Sequence, residues 1–368
     1  MPESADKLAR VRAWLKASKK DGVVFSTRAN FAWLTGGGDN HIVSQSERGF
    51  ASLVVTARQA FMVTTRIEYD RVTTEEPLSG FTPKVYPWTM SLPEGLAKIL
   101  GGKDKLAKLV SDDPEGTGLP GLPAGFYELR APLGENELRR YKALGRDCAL
   151  ALETVARQLT PGDSEHQAEA DLARHLLARG IQPFVLLVAF DQRIQRYRHP
   201  TPGANHLRRH AMLVVCGLRH GLIASLTRFI HHGQPSPDLL KRHEAVCRVE
   251  AALWEATVAG RTYGEAFKAG MSQYAKEGFK DEWELHHQGG PTGYAGRDFL
   301  ATPDEKRKVV DGQAVAWNPS ITGTKTEDTY ILSGKDRIVV TAASPDWPTV
   351  TVQAPSGARF TRPAILVR

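Results

Sequence analysis

Cysteine is scarce. Cys148, Cys216 and Cys247 are scattered over 368 residues with no Cys-x-x-Cys pair and no zinc-finger spacing, so a disulfide framework is not expected and a reducing cytoplasm is the expected compartment. Long apolar runs are missing as well. No stretch reaches the roughly 18 residues a membrane helix needs, and the charged first twenty residues lack the apolar centre of a secretory signal. The chain is basic, with a net charge of +7, but its Lys and Arg are mixed with acids and form no block with interleaved aromatics. Neither nucleic acid nor a membrane is therefore an expected partner. A Gly-x-Ser-x-Gly elbow, a His-Glu-x-x-His pair and a P-loop are all absent. One literal Gly-x-Gly-x-x-Gly occurs at 116–121, but a dinucleotide loop needs a helix opening on its last glycine, and Pro120 and Pro123 oppose that helix.

What is present reads as two domains of an ordinary soluble protein, 41% hydrophobic and 24% charged. Leu8, Val11, Trp14 and Leu15 recur at helical spacing, Asp21-Gly22 turns the chain into a buried strand at 23–25, and β-rich runs follow at 51–55 and 60–64. These predict a compact α/β domain over 1–130. Residues 112–134, rich in Pro and Gly, predict a loop or hinge. From Glu135 the stripe Leu138, Tyr141, Leu144, Cys148, Leu152 and Val155 predicts a long helix, and a second, capped by Asp163 or Ser164, runs to Arg179. Strands are expected at 182–190, 212–217 and 221–230, helices at 238–259 and 263–276, and a β-rich end from 309 to 368. No short repeat appears.

Several signatures share their order and spacing with one family. Asp21-Gly22-Val23-Val24 followed by Asn30-Phe31-Ala32-Trp33-Leu34-Thr35-Gly36 resembles the N-terminal domain signature of the creatinase/prolidase/aminopeptidase P superfamily, with Trp33 in place of the usual Tyr. Leu159-Thr160-Pro161-Gly162-Asp163-Ser164-Glu165 resembles its "lys-pro-gly-x-thr-glu" connection. The resemblance covers about residues 5–335. It implies a mixed α/β and α+β fold, with a creatinase-type N-terminal α/β domain (1–130) followed by a C-terminal pita-bread domain (134–368). It also implies a homodimer.

Peptidases of this family hold two divalent cations with Asp, Asp, His, Glu and Glu, because adjacent dications demand anionic oxygen ligands. The resemblance places the corresponding positions at Val215 (or Val214), Ser225, Gly290, Asn318 and Glu327, so only Glu327 survives as an acid. The expectation is a chain with no dinuclear metal and no other cofactor. Two substrate-side histidines of the family match His199, before Pro200, and His286. Arg297, after a run of small residues, could clamp a carboxylate, or simply pair with Asp298 or Glu282. His199, His286, Arg297 and Glu327 are thus the candidate ligand-binding groups for a small amino-acid or peptide-like molecule, and His199 and His286 the candidate catalytic ones.

Two other readings use the same fold. Creatinase, a metal-free member, employs a His matched by His199, with two Glu whose positions here are Thr227 and Asn318. A metal-independent C–N hydrolase is therefore an alternative. A non-catalytic protein-binding scaffold is another. His206 and His210, four apart, could face one way on a helix. His231-His232 is expected in an exposed turn. Cys216 reads either as a nucleophile partnered by His199 or His286, or as a small buried strand residue.

Overall fold

The computed structural model describes residues 3–368; Met1 and Pro2, the start of the expected N-terminal domain, lie outside the described residues. The chain divides into two compact units. One runs to Arg130 and includes His220–Leu222; the other comprises Ala131–Arg219 and Ile223–Arg368.

In the first unit, helix Glu3–Ala17 precedes strand β1 (Gly22–Thr27), whose first five residues are all buried. Strands β2 (Arg48–Thr56), β3 (Ala60–Thr65), β4 (Thr82–Tyr86) and β5 (Leu109–Ser111) complete a sheet of order β4-β3-β2-β1-β5. Thr27 caps helix Arg28–Thr35, accepting from the Asn30 N–H, and Gly36 ends it at a φ of 81° that favours glycine. Asp112 receives hydrogen bonds from the backbone of Ser26 and Thr27 and from the Asn30 side chain. Trp33 fills the family's Tyr position fully buried, edge-on to Phe25 and Phe126. The 112–134 stretch is less irregular than its Pro content suggests, with short helices at Pro114–Thr117 and Tyr127–Arg130. No helix opens on Gly121, which instead bridges Ser111.

In the second unit, β6 (Gln182–Phe190), β7 (His210–Arg219) and β8 (Leu222–His231) join a short final strand β17 (Leu366–Val367) in the order β17-β8-β7-β6. A second sheet has the order β14-β13-β10-β9, formed by β9 (Gly289–Thr292), β10 (Ala314–Trp317), β13 (Asp328–Ser333) and β14 (Asp336–Val339). The ribbon β11 (Ser320–Ile321) and β12 (Thr324–Lys325) lies between β10 and β13 in sequence, and β15 (Thr349–Gln353) pairs with β16 (Arg359–Pro363). Helices Pro237–Ala256 and Tyr263–Lys276 bury Val246, Leu253, Trp254, Tyr263 and Phe267 with Trp317 and Tyr330 of the second sheet. Each helix starts on a side-chain cap, Ser236 and Thr262.

Helix Glu135–Gln158 links the two sheets. Tyr141 donates to the Ile223 carbonyl beside β7–β8, and Gly145 lies against the backbone after β14. A Cβ at Gly145 would sit 2.1 Å from the Val340 carbonyl oxygen. Gly145→Ala is therefore expected to destabilise the protein by about 1–3 kcal/mol through overpacking, although alanine is the better helix former. Urea denaturation checks it; an unchanged midpoint would mean the helix can shift freely.

No helix among the described residues is long and apolar enough to cross a membrane.

Candidate functional site

The site is built on β8. All ten of its residues are buried, and strand alternation puts Ser225, Thr227 and Phe229 on one face and Arg228 on the other. Of the two positions considered on β7, Val214 packs in one cluster with Phe229, so it shares that face while Val215 points to the opposite side; the pleat corrects the assignment by one residue. Cys216 lies on the Val214 side and its thiol interacts with Ser225.

Across from Thr227 stands Glu327, 3% exposed. Each of its oxygens is taken. The Thr227 hydroxyl donates to Oε2 at 2.8 Å, Lys325 Nζ reaches the same oxygen at 2.9 Å, and Arg297 Nη2 reaches Oε1 at 3.2 Å. Burial opposes the charged carboxylate, but Lys325 and Arg297 outweigh it and hold Glu327 down at about 2. Arg297 also contacts the Ser225 hydroxyl at 3.4 Å and the Gly296 carbonyl at 2.6 Å. Its ion pair is with Glu327, whereas Glu282 pairs with Arg198. Lys325 was not singled out from the sequence. The available signal was its spacing: two residues before Glu327 in an extended segment, it shares that residue's side.

Gly290 sits on β9 opposite Ala316, at a φ of 147°. A Cβ there would lie 2.8 Å from the Phe299 carbonyl oxygen, so this backbone accommodates no side chain without moving. Asn318 follows β10; its N–H bonds the Gln288 carbonyl, and its side-chain oxygen is buried without a partner.

The histidines gather nearby. The 3₁₀ turn Glu282–Leu285 delivers His286 in extended conformation, followed by His287. Arg198 donates to Glu282 at 2.8 Å and to the Thr322 hydroxyl at 2.9 Å, tying the loop that carries His199 to this turn. His199 Nε2 and His286 Nε2 are 3.1 Å apart, and His287 stacks obliquely on both, with ring centroids at 5.3 and 4.7 Å. Burial, reinforced by Lys325 and neighbouring imidazoles, keeps His286 far below the usual histidine range. His287 is pushed to about 4 by burial and by Arg297, and His199 is lowered by burial and Lys325. All three rings are therefore neutral at pH 7, and the partner of His199 is another imidazole rather than a carboxylate.

Other expectations change. His206 and His210 do not share a helix: His206 bridges Ser164, and His210 opens β7 with its ring nitrogens against the carbonyls of Ile230 and Gly323. His231 ends β8 buried rather than lying in an exposed turn. Enclosure pushes the Cys216 thiol up to about 11, opposite to what a nucleophile requires.

A family model described as metallopeptidase family M24 matches residues 139–344, and one described as the creatinase/prolidase N-terminal domain matches residues 7–112. The chain belongs to metallopeptidase family M24. Its fold is that of the creatinase/prolidase/aminopeptidase P superfamily, a creatinase-type N-terminal domain followed by a pita-bread domain. Solved M24-like structures agree. An Xaa-Pro dipeptidase from Bacillus anthracis superposes with a TM-score of 0.76 at 16% identity, covering 99% of this chain and 100% of that one. The prolidase from Pyrococcus horikoshii OT3 gives 0.77 at 15% identity, over 93% and 99%. The N-terminal domain of FACT complex subunit SPT16 from Cicer arietinum gives 0.69 at 13%, over 93% and 97%. No curated protein matches. Within this M24 fold, the structure brings Ser225, Arg297 and Glu327 together, with His199, His286 and His287 as a second group beside Lys325.

Proposed function

We propose that this M24 protein binds a small amino-acid or peptide-like ligand without a dinuclear metal centre and without metallopeptidase activity. The observation that supports this reading is Glu327, whose two oxygens are already engaged by Lys325 and Arg297. The residues do not fit a pair of dications. Ser225 and Asn318 are neutral, Gly290 has no room for a side chain, and neither Val214 nor Val215 can ligate. Lys325, Arg297 and Glu327 together leave one positive charge. A dication about 4 Å from one unpaired cation meets roughly 8 kcal/mol of repulsion at an effective dielectric of about 20. No metal-bound nucleophile is therefore assigned to this site.

Ligand binding draws on unmet hydrogen-bonding capacity. Arg297 Nε, Asn318 Oδ1, His286 Nδ1 and His287 Nδ1 are buried without partners, and such groups call for a guest. A carboxylate would suit Arg297 and an amide would suit Asn318 and the imidazoles. His199 sits at the exposed mouth of this group.

Calorimetry with free amino acids and Xaa-Pro dipeptides in EDTA is expected to give saturable binding, weakened at least about tenfold by Arg297→Ala, the cost of one charged hydrogen bond. With Mn²⁺ added, no proline should be released; metal-stimulated turnover refutes the reading. A C–N bond cleaved in EDTA and lost in His199→Ala would move the protein to the creatinase-like alternative. A scaffold role draws on the likeness to a subunit of the FACT complex, and capture of a protein partner indifferent to Arg297→Ala and His199→Ala would favour it. The proposed assembly is a homodimer, which sedimentation tests.

A further inference from the structure

His199, His286 and His287 form the one group of three or more His, Cys, Asp or Glu among the described residues that could hold a metal ion, with one ring nitrogen from each lying within 4.8 Å of the others. We infer that this triad is a mononuclear site for a borderline-soft first-row dication of the Zn²⁺ class, held by three imidazoles with a fourth position open. It shares its imidazoles with the ligand site proposed above and lies beside Lys325 and Glu327, which interact electrostatically with His199 and His287.

The geometry is close to what such an ion requires. Tetrahedral Zn–N bonds of about 2.0–2.1 Å place ligand nitrogens about 3.3 Å apart. His199 and His286 already stand at 3.1 Å. With all three nitrogens within 4.8 Å of one another, the widest pair must close by at most about 1.5 Å, a change on the scale of ring rotation. A direct Nε2···Nε2 contact is also what two metal ligands present when no ion separates them, since one ring must then donate to the other. The scaffold is braced from behind, since the Arg198–Glu282 ion pair and the Glu282 contacts with the Thr322 N–H and hydroxyl fix both loops.

Electrostatics selects the ion. Three imidazole nitrogens suit a borderline ion such as Zn²⁺. Hard cations such as Mg²⁺ or Ca²⁺ prefer oxygen and find none here. Lys325 and Arg297 oppose any cation, and Glu327 offsets only one of them. The same positive surroundings favour an anionic fourth ligand, such as a carboxylate or hydroxide, over a neutral one. The ion would thus sit at the mouth of the proposed ligand site and present a coordination position to an incoming carboxylate.

The test is a Co²⁺ titration of the chelator-treated, desalted full chain, followed by visible absorption and displacement with Zn²⁺. One equivalent with tetrahedral d–d bands, abolished by Zn²⁺, is expected. Loss of one ligand should weaken affinity at least about 100-fold, more than losing an outer-shell partner does, in His287→Ala and independently in the exposed His199→Ala. Far-UV circular dichroism verifies that both variants fold. His206→Ala, a surface histidine outside the triad, should leave the titration unchanged. Absence of tetrahedral bands, or binding that survives both His199→Ala and His287→Ala, overturns the triad and leaves the ligand reading of the Glu327 locus standing. Two equivalents with the weak octahedral spectrum of oxygen ligands, indifferent to both variants, overturns the triad and the proposed function together.

Discussion

Glu327→Ala is expected to destabilise the protein by about 3–5 kcal/mol, because it strands Lys325 and Arg297 as buried cations with no counter-charge. The loss should appear in urea unfolding at neutral pH, and Lys325→Met should restore part of it by removing one of the stranded charges. A cost below about 1 kcal/mol would show that water reaches these groups and that the ion triplet is not a structural unit. The pH dependence has a definite sign. In the folded chain Glu327 is held at about 2, against 4.5 for an unperturbed glutamate. The unfolded state therefore binds more protons between these values, and the contribution is complete above pH 4.5 and disappears as the pH falls towards 2. Its size is about 3 kcal/mol. Glu327→Gln should flatten that part of the acid limb.

A comparable loss is expected behind the site. Arg362 is 3% exposed and donates to both oxygens of Glu250, at 2.7 and 2.9 Å, and to Asp328 at 2.7 Å. Arg228 reaches Asp328 at 3.1 Å from the far face of β8. This buried chain sets the position of the Asp328 strand, and so of Glu327 beside it. Arg362→Met should cost about 3–5 kcal/mol by leaving Glu250 without its cation. Burial already raises Glu250 to about 7 despite Arg362. A carboxyl raised above its unfolded value of 4.5 contributes stability that is present below pH 4.5 and lost as the pH passes 7. Without Arg362 the group should hold its proton more firmly. The destabilisation should therefore be smaller at pH 5 than at pH 8; an equal loss at both would place the cost in packing rather than charge.

The fold was readable because local signals agreed with one another. The turn Asp21-Gly22, the cap at Ser164 and the stripe from Leu138 to Val155 each announce an element, and the order of the signatures announces the family. Where a motif carries a position, as with Ser225 and Glu327, the sequence points to residues that the fold brings to one guanidinium, that of Arg297. The site was not readable where tertiary contact decides. Lys325 in a polar strand reads as a solvated charge until β12 is buried against helix Pro237–Ala256. His287 looks redundant beside His286 because strand alternation would separate them, whereas the 3₁₀ turn before them lets both rings face His199. His206 and His210 failed for the opposite reason, since helical spacing means nothing where the chain enters a strand. The one-residue uncertainty on β7 is intrinsic to a period of two, and only the pleat resolves it.

The paired state of Arg297 has an evolutionary corollary. An aspartate appearing at position 225 would find the guanidinium, now 3.4 Å from the Ser225 hydroxyl, before it found any ion, and would be absorbed as one more internal salt bridge. At position 290 the backbone itself refuses a ligand. An acidic replacement at position 225 alone is therefore expected to extend the internal ion network rather than to recruit a cation.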